Sequence, residues 1–399
     1  MKSYDALVIG GGLTGCASAY YLAKRGSSVL LAERNEINSL ASGQNAGSLH
    51  FQLEHRLLQH GSDKGGEFAR ILPLNAFAIQ LWQTLESELR ADLEITMDGG
   101  LMLAVTDAEV ALLKQKNALE RSFGIDSELL TAAELRKLAP YLGEDVQMAS
   151  YLAEEGHANP RLVTPAYARA AKRHGAILKT GCEVVLLKPE GTGWIAQLRN
   201  SPGEEIETVR IGMVLNAAGA FAAEAGRLAH LHLPVFPLPL TMSVTERTKA
   251  FLPHLLQRAG AKLSLKQVAA GNVLIGGGWS SRFERSNGVP DYRRRPRAQL
   301  DKIVGNIALA TKAVPALAAL HILRCWTGTV GVTHDELPLL GEVPQSPGYF
   351  VAVGGSGFTL GPAYAALIAE LMVTRRTEHD ISIYSPARFD HINNFMASA

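Results

Sequence analysis

The chain has 399 residues, of which 47% are apolar, and a formal net charge of +1. This length is sufficient for two domains, each with its own hydrophobic core. The balanced charge gives no sign of a nucleic-acid-binding surface. The densest basic run, residues 293–297, is typical of a solvated loop before a helix, with docking to a partner as the second interpretation.

No stretch reaches the roughly 18 consecutive apolar residues that a membrane span requires. Met1 stands almost directly before the first predicted strand, so we expect no signal peptide. Cys16, Cys182 and Cys325 are too widely spaced for a disulfide framework or a metal site. These features favour a cytoplasmic protein that has no metal ion and no transmembrane segment.

The beginning of the chain has the pattern of a dinucleotide-binding unit. Strands are predicted at 4–9 and 28–33, with a helix at 14–25 between them. The turn before this helix carries three glycines in the spacing Gly-x-Gly-x-x-Gly, namely Gly10, Gly12 and Gly15. The first permits the tight turn, the second lets a pyrophosphate approach the backbone, and the third lets the helix pack closely on the strand.

An acidic residue, Glu33, ends the second strand of this unit. The helix N-terminus attracts the phosphates of a dinucleotide, and Glu33 can accept hydrogen bonds from the ribose hydroxyls. A carboxylate at this position disfavours a 2′-phosphate. The unit therefore predicts bound NAD or FAD.

The middle of the chain carries alternating helical and extended patterns. Helices are predicted at 67–90, 107–121, 131–139 and 160–174. Short strands are predicted at 100–105, 176–180 and 183–186. Residues 233–323 are then mostly β-rich, with one helix at 298–314, which predicts an antiparallel sheet suited to forming a pocket wall.

Two later segments have the character of the first unit again. Residues 211–219 form an apolar strand that ends in small residues, which allows the backbone to approach a ligand. Residues 349–353 form a second such strand, followed by the glycine-rich residues 354–357 and a helix that begins near Leu360. A second helix N-terminus suits a flavin, which becomes anionic when reduced, better than a nicotinamide.

These segments together resemble the FAD-dependent oxidoreductases of the D-amino-acid oxidase type. The resemblance covers nearly the whole chain and rests on residues 10–15 with Glu33, and on the segments 41–47, 216–219, 326–341 and 354–362. It implies FAD contacts from Gly10, Gly12, Leu13, Thr14, Gly15, Glu33, Arg34, Ser42, Gly43, Gln44, Asn45, Ala46, Gly47, Val184, Ala217, Ala218, Gly219, Gly354, Gly355, Ser356, Gly357, Phe358 and Thr359.

The resemblance also implies the fold. We expect an α/β fold (α+β overall) in which an FAD-binding, Rossmann-like domain of the glutathione-reductase type accompanies an antiparallel-sheet substrate domain. The FAD-binding domain is expected to comprise residues 1–90, 148–228 and 324–399. The substrate domain is expected to comprise residues 91–147 and 229–323.

Several positions depart from the family pattern. Val330 stands where many members carry an Arg that pairs with the substrate carboxylate, and Thr359 stands where monomeric sarcosine oxidases carry a Lys. Gly328 lies where those enzymes have a Cys that is linked to flavin. We therefore expect non-covalent FAD and an unfamiliar group for the substrate carboxylate.

The segments 42–52 and 354–362 look similar to the β-subunits of multi-subunit dehydrogenases of secondary amines. These include opine oxidases, hydroxyproline and proline dehydrogenases, hydrogen cyanide synthase and heterotetrameric sarcosine oxidase. The resemblance implies oxidation of a CH–NH bond by hydride transfer to flavin, and partner subunits that carry further redox centres. Three alternatives stay open: a stand-alone glycine or D-amino-acid oxidase, an NAD-dependent dehydrogenase, and an FAD-binding subunit without catalysis.

The residues expected to contact substrate follow the flavin-binding segments. They are His50, Gln52, Thr327, Thr329 and Thr359. We regard His50 as the first candidate for the substrate carboxylate, because an imidazole with an ordinary pKa near 6.5 can carry a positive charge. Lys266 and Arg282 of the β-rich region are the alternatives.

Overall fold

The computed structural model describes residues 1–55, 69–201 and 205–397. Its strands are β1 (Lys2–Ile9), β2 (Val29–Ala32), β3 (Ser48–Leu49), β4 (Gly100–Ala104), β5 (Glu128–Thr131), β6 (Met148–Leu152), β7 (Gly156–His157), β8 (Ile177–Lys179), β9 (Cys182–Glu190), β10 (Gly193–Asn200), β11 (Glu205–Asn216), β12 (Val235–Arg247), β13 (Leu255–Arg258), β14 (Ser264–Gln267), β15 (Asn272–Gly276), β16 (Arg285–Ser286), β17 (Val289–Pro290), β18 (Ile322–Thr333), β19 (Leu339–Glu342) and β20 (Tyr349–Val353).

The helices are α1 (Leu13–Lys24), α2 (Ala41–Gln44), α3 (Leu72–Leu89), α4 (Asp107–Ser122), α5 (Ala132–Leu138), α6 (Pro160–Arg173), α7 (Ala222–Arg227), α8 (Leu300–Ala313), α9 (Gly361–Thr374) and α10 (Asp390–Ala397). The expected helix at 67–90 begins at Leu72, after one short 3₁₀ turn, and its first two predicted positions lie outside the described residues. No helix among the described residues combines the length and the apolar character that crossing a membrane requires.

The first sheet has the strand order β19-β20-β11-β1-β2-β8, and the hairpin of β9 and β10 is joined to β11. The strands β20, β11, β1, β2 and β8 run parallel. Ile9 pairs with Ala32 on one side and with Asn216 on the other, and Asn216 pairs with Val351. The carboxyl ends of four strands therefore meet at one edge, where ligands bind in open α/β sheets.

Helix α1 is buried on nearly all sides, as its apolar composition predicts. It packs against α6 and α9 on one face of the first sheet, within a continuous hydrophobic core. The close approach of α1 to β1 depends on Gly15, because a Cβ at this position would lie 1.9 Å from the carbonyl oxygen of Gly10. This contact confirms the packing function that the glycine spacing predicts.

The second sheet has the strand order β18-β12-β15-β14-β13-β4-β6-β5, and α8 packs on it. Its pairs are antiparallel except for β4 and β13, which run parallel. The sheet includes β6 and most of β18, although the expected division assigns residues 148–152 and 324–333 to the cofactor domain. The second sheet therefore includes two strands that the sequence pattern assigns to the cofactor domain.

We predict that Gly15→Ala destabilises the protein, because the new methyl group overlaps a fixed backbone carbonyl. Overpacking of this kind costs about 1–3 kcal/mol of unfolding free energy, which thermal or urea unfolding measures. Ser18→Ala is the matched control, since it is a change of one atom in the same buried helix. Equal unfolding free energies for the two variants would show that the contact between α1 and β1 is not tight.

Candidate functional site

A cavity of about 870 Å³ opens at the edge of the first sheet and continues to the second sheet. It is lined by the residues that follow β1, β2, β11 and β20, and by residues next to β13, β14 and β18. A volume of this size is typical of cofactor sites, which prefer such switch points of parallel sheets. The cavity therefore joins a nucleotide-type site to a second wall built from the other sheet.

The turn between β1 and α1 forms the first part of the cavity. Gly10 has φ +109°, and a Cβ there would lie 2.7 Å from the carbonyl oxygen of Ala217, so only glycine fits this crossing of two strand ends. Gly12 lines the cavity, and the N–H of Leu13 donates to Ser42 Oγ at 2.9 Å. The N-terminus of α1, which carries no acidic residue in its first turn, is thus available to phosphate groups.

Glu33 lines the cavity beside this turn. Its carboxylate accepts hydrogen bonds from the backbone N–H of Gly11 at 2.6 Å and of Asn35 at 2.7 Å. Two backbone donors fix the orientation of the carboxylate, which still has free lone pairs for ribose hydroxyls. Next to it, the guanidinium of Arg34 lies 4.1 Å above the ring centre of Phe221.

Arg293, the first residue of the basic run 293–297, lines the cavity. Arg293 forms ion pairs with Glu224 and, at 3.3 Å, with Glu183, and Arg297 pairs with Glu284. These exposed arginines are therefore paired with acidic side chains of the same chain. This arrangement is consistent with the interpretation of the run as a loop.

The segment at 41–47 contributes the next part of the wall. The side-chain amide of Asn45 donates to the carbonyl of Ser42 at 2.6 Å, and its oxygen accepts from the N–H of Gly47 at 2.6 Å. Gly47 has φ +77°, and a Cβ would lie 2.1 Å from the carbonyl oxygen of Ala158. The side chain of Asn45 thus shapes a turn that only glycine can complete.

The glycine-rich turn before α9 closes the cavity on the opposite side. Ser356 adopts φ +52°, and its hydroxyl donates to the carboxylate of Glu54 at 2.5 Å. The hydroxyl of Tyr364, one turn into α9, donates to the carbonyl of Gly355 at 2.7 Å. The N-terminus of α9 is therefore held at the cavity by side chains from two elements.

The structure places most of the sequence-predicted cofactor residues in the cavity wall. Those that do not line it are Gly15, Gly43 and Gln44. Gly15 serves the packing of α1, and Gly43 is needed because a Cβ would lie 2.0 Å from the carbonyl oxygen of Asn38. The carbonyl of Gln44 instead accepts from the indole N–H of Trp326 at 2.7 Å, which ties α2 to β18.

Three of the expected substrate contacts, together with Val330, line the part of the cavity that continues to the second sheet, which we call the substrate half. The ring Nε2 of His50 lies 3.0 Å from Ser264 Oγ, and the N–H of His50 donates to Thr359 Oγ1 at 3.3 Å. Thr329 lies beside Val330 on β18. His50, Thr329 and Thr359, which are far apart in sequence, therefore line one cavity.

The other two expected contacts do not line this cavity. Gln52 is 1% exposed, and its side-chain amide donates to Glu155 Oε2 at 2.8 Å. Thr327 is buried, and its hydroxyl donates to the carbonyl of Pro296 at 2.8 Å. Both side chains form hydrogen bonds within the protein and do not face this cavity.

Two cavity residues at the beginning of β14 or just before it, Lys262 and Ser264, were not among the sequence-predicted site residues. Lys262, Ser264 and Lys266 alternate with Leu263 and Leu265, which are both buried in the core of the second sheet. Lys262 is exposed in the cavity wall, Ser264 reaches His50, and Lys266 is 1% exposed. The alternation with period two was the available signal.

Two basic groups are buried behind this wall. Lys266 Nζ donates to Ser48 Oγ at 3.3 Å, and burial holds the pKa of its ammonium well below the usual range. His157, which pairs with Ser48 across β3 and β7, has its pKa lowered to about 3 by burial and by the nearby Lys266. Burial therefore disfavours the charged form of each group. Arg282, the other basic alternative, does not line the cavity.

The family assignment follows from a model described as "FAD dependent oxidoreductase" (DAO), which matches residues 5–371. Because this match spans nearly the whole chain, the protein belongs to that family. It is an FAD-dependent oxidoreductase, as the resemblance of the cofactor segments implies.

Two curated relatives match over almost their full length. The beta subunit of the sarcosine oxidase of Arthrobacter sp is 27% identical, covering 98% of this chain and 95% of that protein. A subunit of the opine oxidase of Rhizobium meliloti is 25% identical, covering 98% of this chain and 99% of that protein.

Two solved structures share the fold over the same extent. L-proline dehydrogenase from P. horikoshii superposes with a TM-score of 0.84, 25% identity and 98% coverage of both chains. Glycine oxidase from Geobacillus kaustophilus gives a TM-score of 0.83 and 26% identity, covering 97% of this chain and 99% of that one. These likenesses confirm the expected fold class.

The residues of the cavity fit FAD. The glycine turn at 10–12 leaves backbone space beside a helix N-terminus for a pyrophosphate, and Glu33 is oriented for a ribose. The glycine turn at 354–357 provides a second helix N-terminus at the far side of the cavity. A nicotinamide dinucleotide would not need this second site, so the structure supports the flavin over the NAD alternative.

We predict that Glu33→Ala weakens FAD binding at least tenfold, because loss of a charged hydrogen-bond partner costs about 1.5–3 kcal/mol. Glu36→Ala is the matched control, since it removes the same charge from the same loop and Glu36 also lines the cavity. Titration of the apoprotein with FAD, followed by flavin fluorescence, measures both constants. Acid precipitation should release the flavin into the supernatant, and yellow precipitate would contradict the expectation of non-covalent binding.

Proposed function

We propose that this protein oxidises the CH–NH bond of a secondary amine or amino acid, such as an opine, an imino acid or an N-methyl glycine. We infer further that it is the catalytic subunit of a multi-subunit dehydrogenase. The observation that carries the proposal is the continuity of one cavity from the FAD-binding edge of the first sheet to a polar wall of the second sheet. The full-length likeness to subunits of a sarcosine oxidase and of an opine oxidase supports it.

When bound, FAD supplies a hydride acceptor for the carbon next to the substrate nitrogen. The contribution of this chain is mainly positioning and electrostatics. The turn at 354–359, directly before α9, lines the cavity, and a helix N-terminus stabilises nearby negative charge by about 1 kcal/mol. The walls from both sheets would contact the substrate and orient it.

A substrate carboxylate needs a partner in this cavity, because a buried unpaired charge costs several kcal/mol. Neither Val330 nor Thr359 provides a positive charge. Among the described residues of the substrate half, the basic side chains are His50, His55 and Lys262. We propose that His50 binds the carboxylate in its protonated form, with Lys262 as the alternative at the wall of the second sheet.

We also propose that the electrons pass to a partner protein of the same complex. The chain's three cysteines are separated in the fold, and Cys16 and Cys182 are buried. They do not form the four-cysteine set of an iron–sulfur cluster. A further redox centre would therefore belong to a partner, as the names of both relatives, which are subunits of larger enzymes, suggest.

A stand-alone glycine or D-amino-acid oxidase is the second candidate function. The likeness to glycine oxidase of Geobacillus kaustophilus over the whole chain favours it. An FAD-binding subunit without catalysis is a third interpretation, which rests on the missing Arg and Lys. Reduction of the flavin by an amine distinguishes the two enzymes from a non-catalytic subunit. The electron acceptor, a partner protein or oxygen, distinguishes the dehydrogenase from the oxidase.

We predict that a panel of opines, proline, hydroxyproline, sarcosine and glycine contains a substrate that bleaches the bound flavin under anaerobic conditions. With an artificial electron acceptor, turnover of this substrate should be fast. In air without the acceptor, hydrogen peroxide should form slowly. Fast stoichiometric peroxide formation would instead identify an oxidase, and no bleaching by any amine would support the non-catalytic interpretation.

We predict that His50→Ala raises KM for a carboxylate-bearing substrate at least tenfold and leaves the flavin absorbance spectrum intact. The reason is the loss of the proposed charge partner without loss of cofactor contacts. His334→Ala is the control, because His334 is an exposed histidine outside the cavity wall. Unchanged kinetics for His50→Ala, together with a raised KM for Lys262→Met, would assign the carboxylate to Lys262.

A further inference from the structure

The segment 50–53, directly after β3, has no regular secondary structure, yet each of its four backbone N–H groups donates to a side chain. The N–H of His50 donates to Thr359, those of Phe51 and Gln52 donate to Glu155, and that of Leu53 donates to Glu120. Leaving a buried N–H unpaired costs about 1–3 kcal/mol, so these side chains take the place of a strand partner.

Glu155 makes the largest contribution to this arrangement. It is fully buried in the turn between β6 and β7, and its Oε1 accepts from Phe51 at 2.8 Å and from Gln52 at 2.9 Å. The space for this carboxylate exists because residue 100 is glycine, where a Cβ would lie 2.0 Å from Glu155 Oε2. Burial raises the pKa of Glu155 to about 7, against the lowering effects of Gln52 and Lys116.

A chain of side-chain hydrogen bonds fixes Glu155 in turn. Lys116 Nζ donates to Gln52 Oε1 at 2.7 Å, and Gln52 Nε2 donates to Glu155 Oε2 at 2.8 Å. Lys116 also pairs with Glu120 at 2.8 Å, and both side chains are fully buried. Because donors and acceptors alternate along this chain, the amide of Gln52 has one favourable orientation.

We infer that Glu155 is a positioning residue for the substrate half of the cavity. It fixes the two backbone groups directly after His50, while Thr359 fixes the backbone of His50 itself. The imidazole is thereby held beside Ser264 before any ligand binds. This inference rests on the proposed function only in treating His50 as a substrate contact.

The test is Glu155→Gln in the FAD-loaded protein. The new amide keeps one acceptor oxygen, but its NH₂ group opposes the NH₂ group of Gln52 and disrupts the chain to Lys116. The ring signal of His50 in ¹³C-histidine NMR, assigned with His50→Gln, should shift and broaden. Benzoate, titrated against the flavin absorbance as a simple carboxylate, should bind roughly tenfold more weakly than to the unmodified protein.

Glu86→Gln is the matched control. Glu86 also holds backbone N–H groups of a loop, those of Leu93 at 2.7 Å and Ile95 at 3.4 Å, but this loop does not line the cavity. It should leave the His50 signal and the benzoate affinity unchanged. If Glu155→Gln lowers only the melting temperature and moves neither readout, its function is structural and the inference is overturned.

A second variant covers the case in which Glu155→Gln does not fold. Asn75→Ala removes a buried carboxamide that donates to the carbonyl of Phe51 at 2.8 Å, and it should shift the His50 signal in the same direction but less. An unmoved His50 signal in that variant would contradict the inference. The proposed function is tested separately: a wild-type flavin that no amine reduces would overturn it, while the NMR readout would still decide the position of His50.

Discussion

The parallel register of β1 with its neighbours is the constraint on which the site depends. Ile9 lies opposite Ala32 and Asn216, so the residues that follow these strands leave the sheet at the same level. A slip of one residue would reverse the faces of every side chain in the slipped strand. Gly10, directly after β1, then allows this edge to close, because a Cβ there would lie 2.7 Å from the carbonyl oxygen of Ala217.

The cofactor half of the site was predictable because its requirements are local. Gly15 and Glu33 lie within one strand–helix–strand unit, and their contacts with the carbonyl of Gly10 and the N–H of Gly11 stay within that unit. The position of Gln52 was not predictable in the same way. Its partners, Glu155 and Lys116, are 103 and 64 residues away, so its burial depends on how two distant elements pack.

The sheet to which a strand belongs is also a tertiary property. The pattern of β18 indicates a strand but not its neighbours, and in the structure it pairs with β12 along almost its full length. This pairing brings Thr329 and Val330 from the second sheet to the cavity. The substrate half is therefore a junction between sheets, where side chains from separate elements meet and sequence patterns are least informative.

Uncharged hydroxyls and a buried ion pair occupy different depths at this junction. The side chains hydrogen-bonded to His50 include the hydroxyls of Ser264 and Thr359, which carry no fixed charge. The ion pair of Lys116 and Glu120 lies behind the cavity wall, where its remaining hydrogen bonds are satisfied by Gln52 and other groups.

Buried ion pairs of this kind add little net stability over apolar packing, but breaking one is costly. The pair of Lys116 and Glu120 therefore contributes mainly by holding the backbone N–H of Leu53, rather than by adding net stability. Lys266 differs from Lys116, because it is buried against a hydroxyl and its pKa is lowered well below the usual range. The side chains hydrogen-bonded to His50 thus include two hydroxyls, while the buried ion pair of Lys116 and Glu120 holds the backbone of Leu53 behind them.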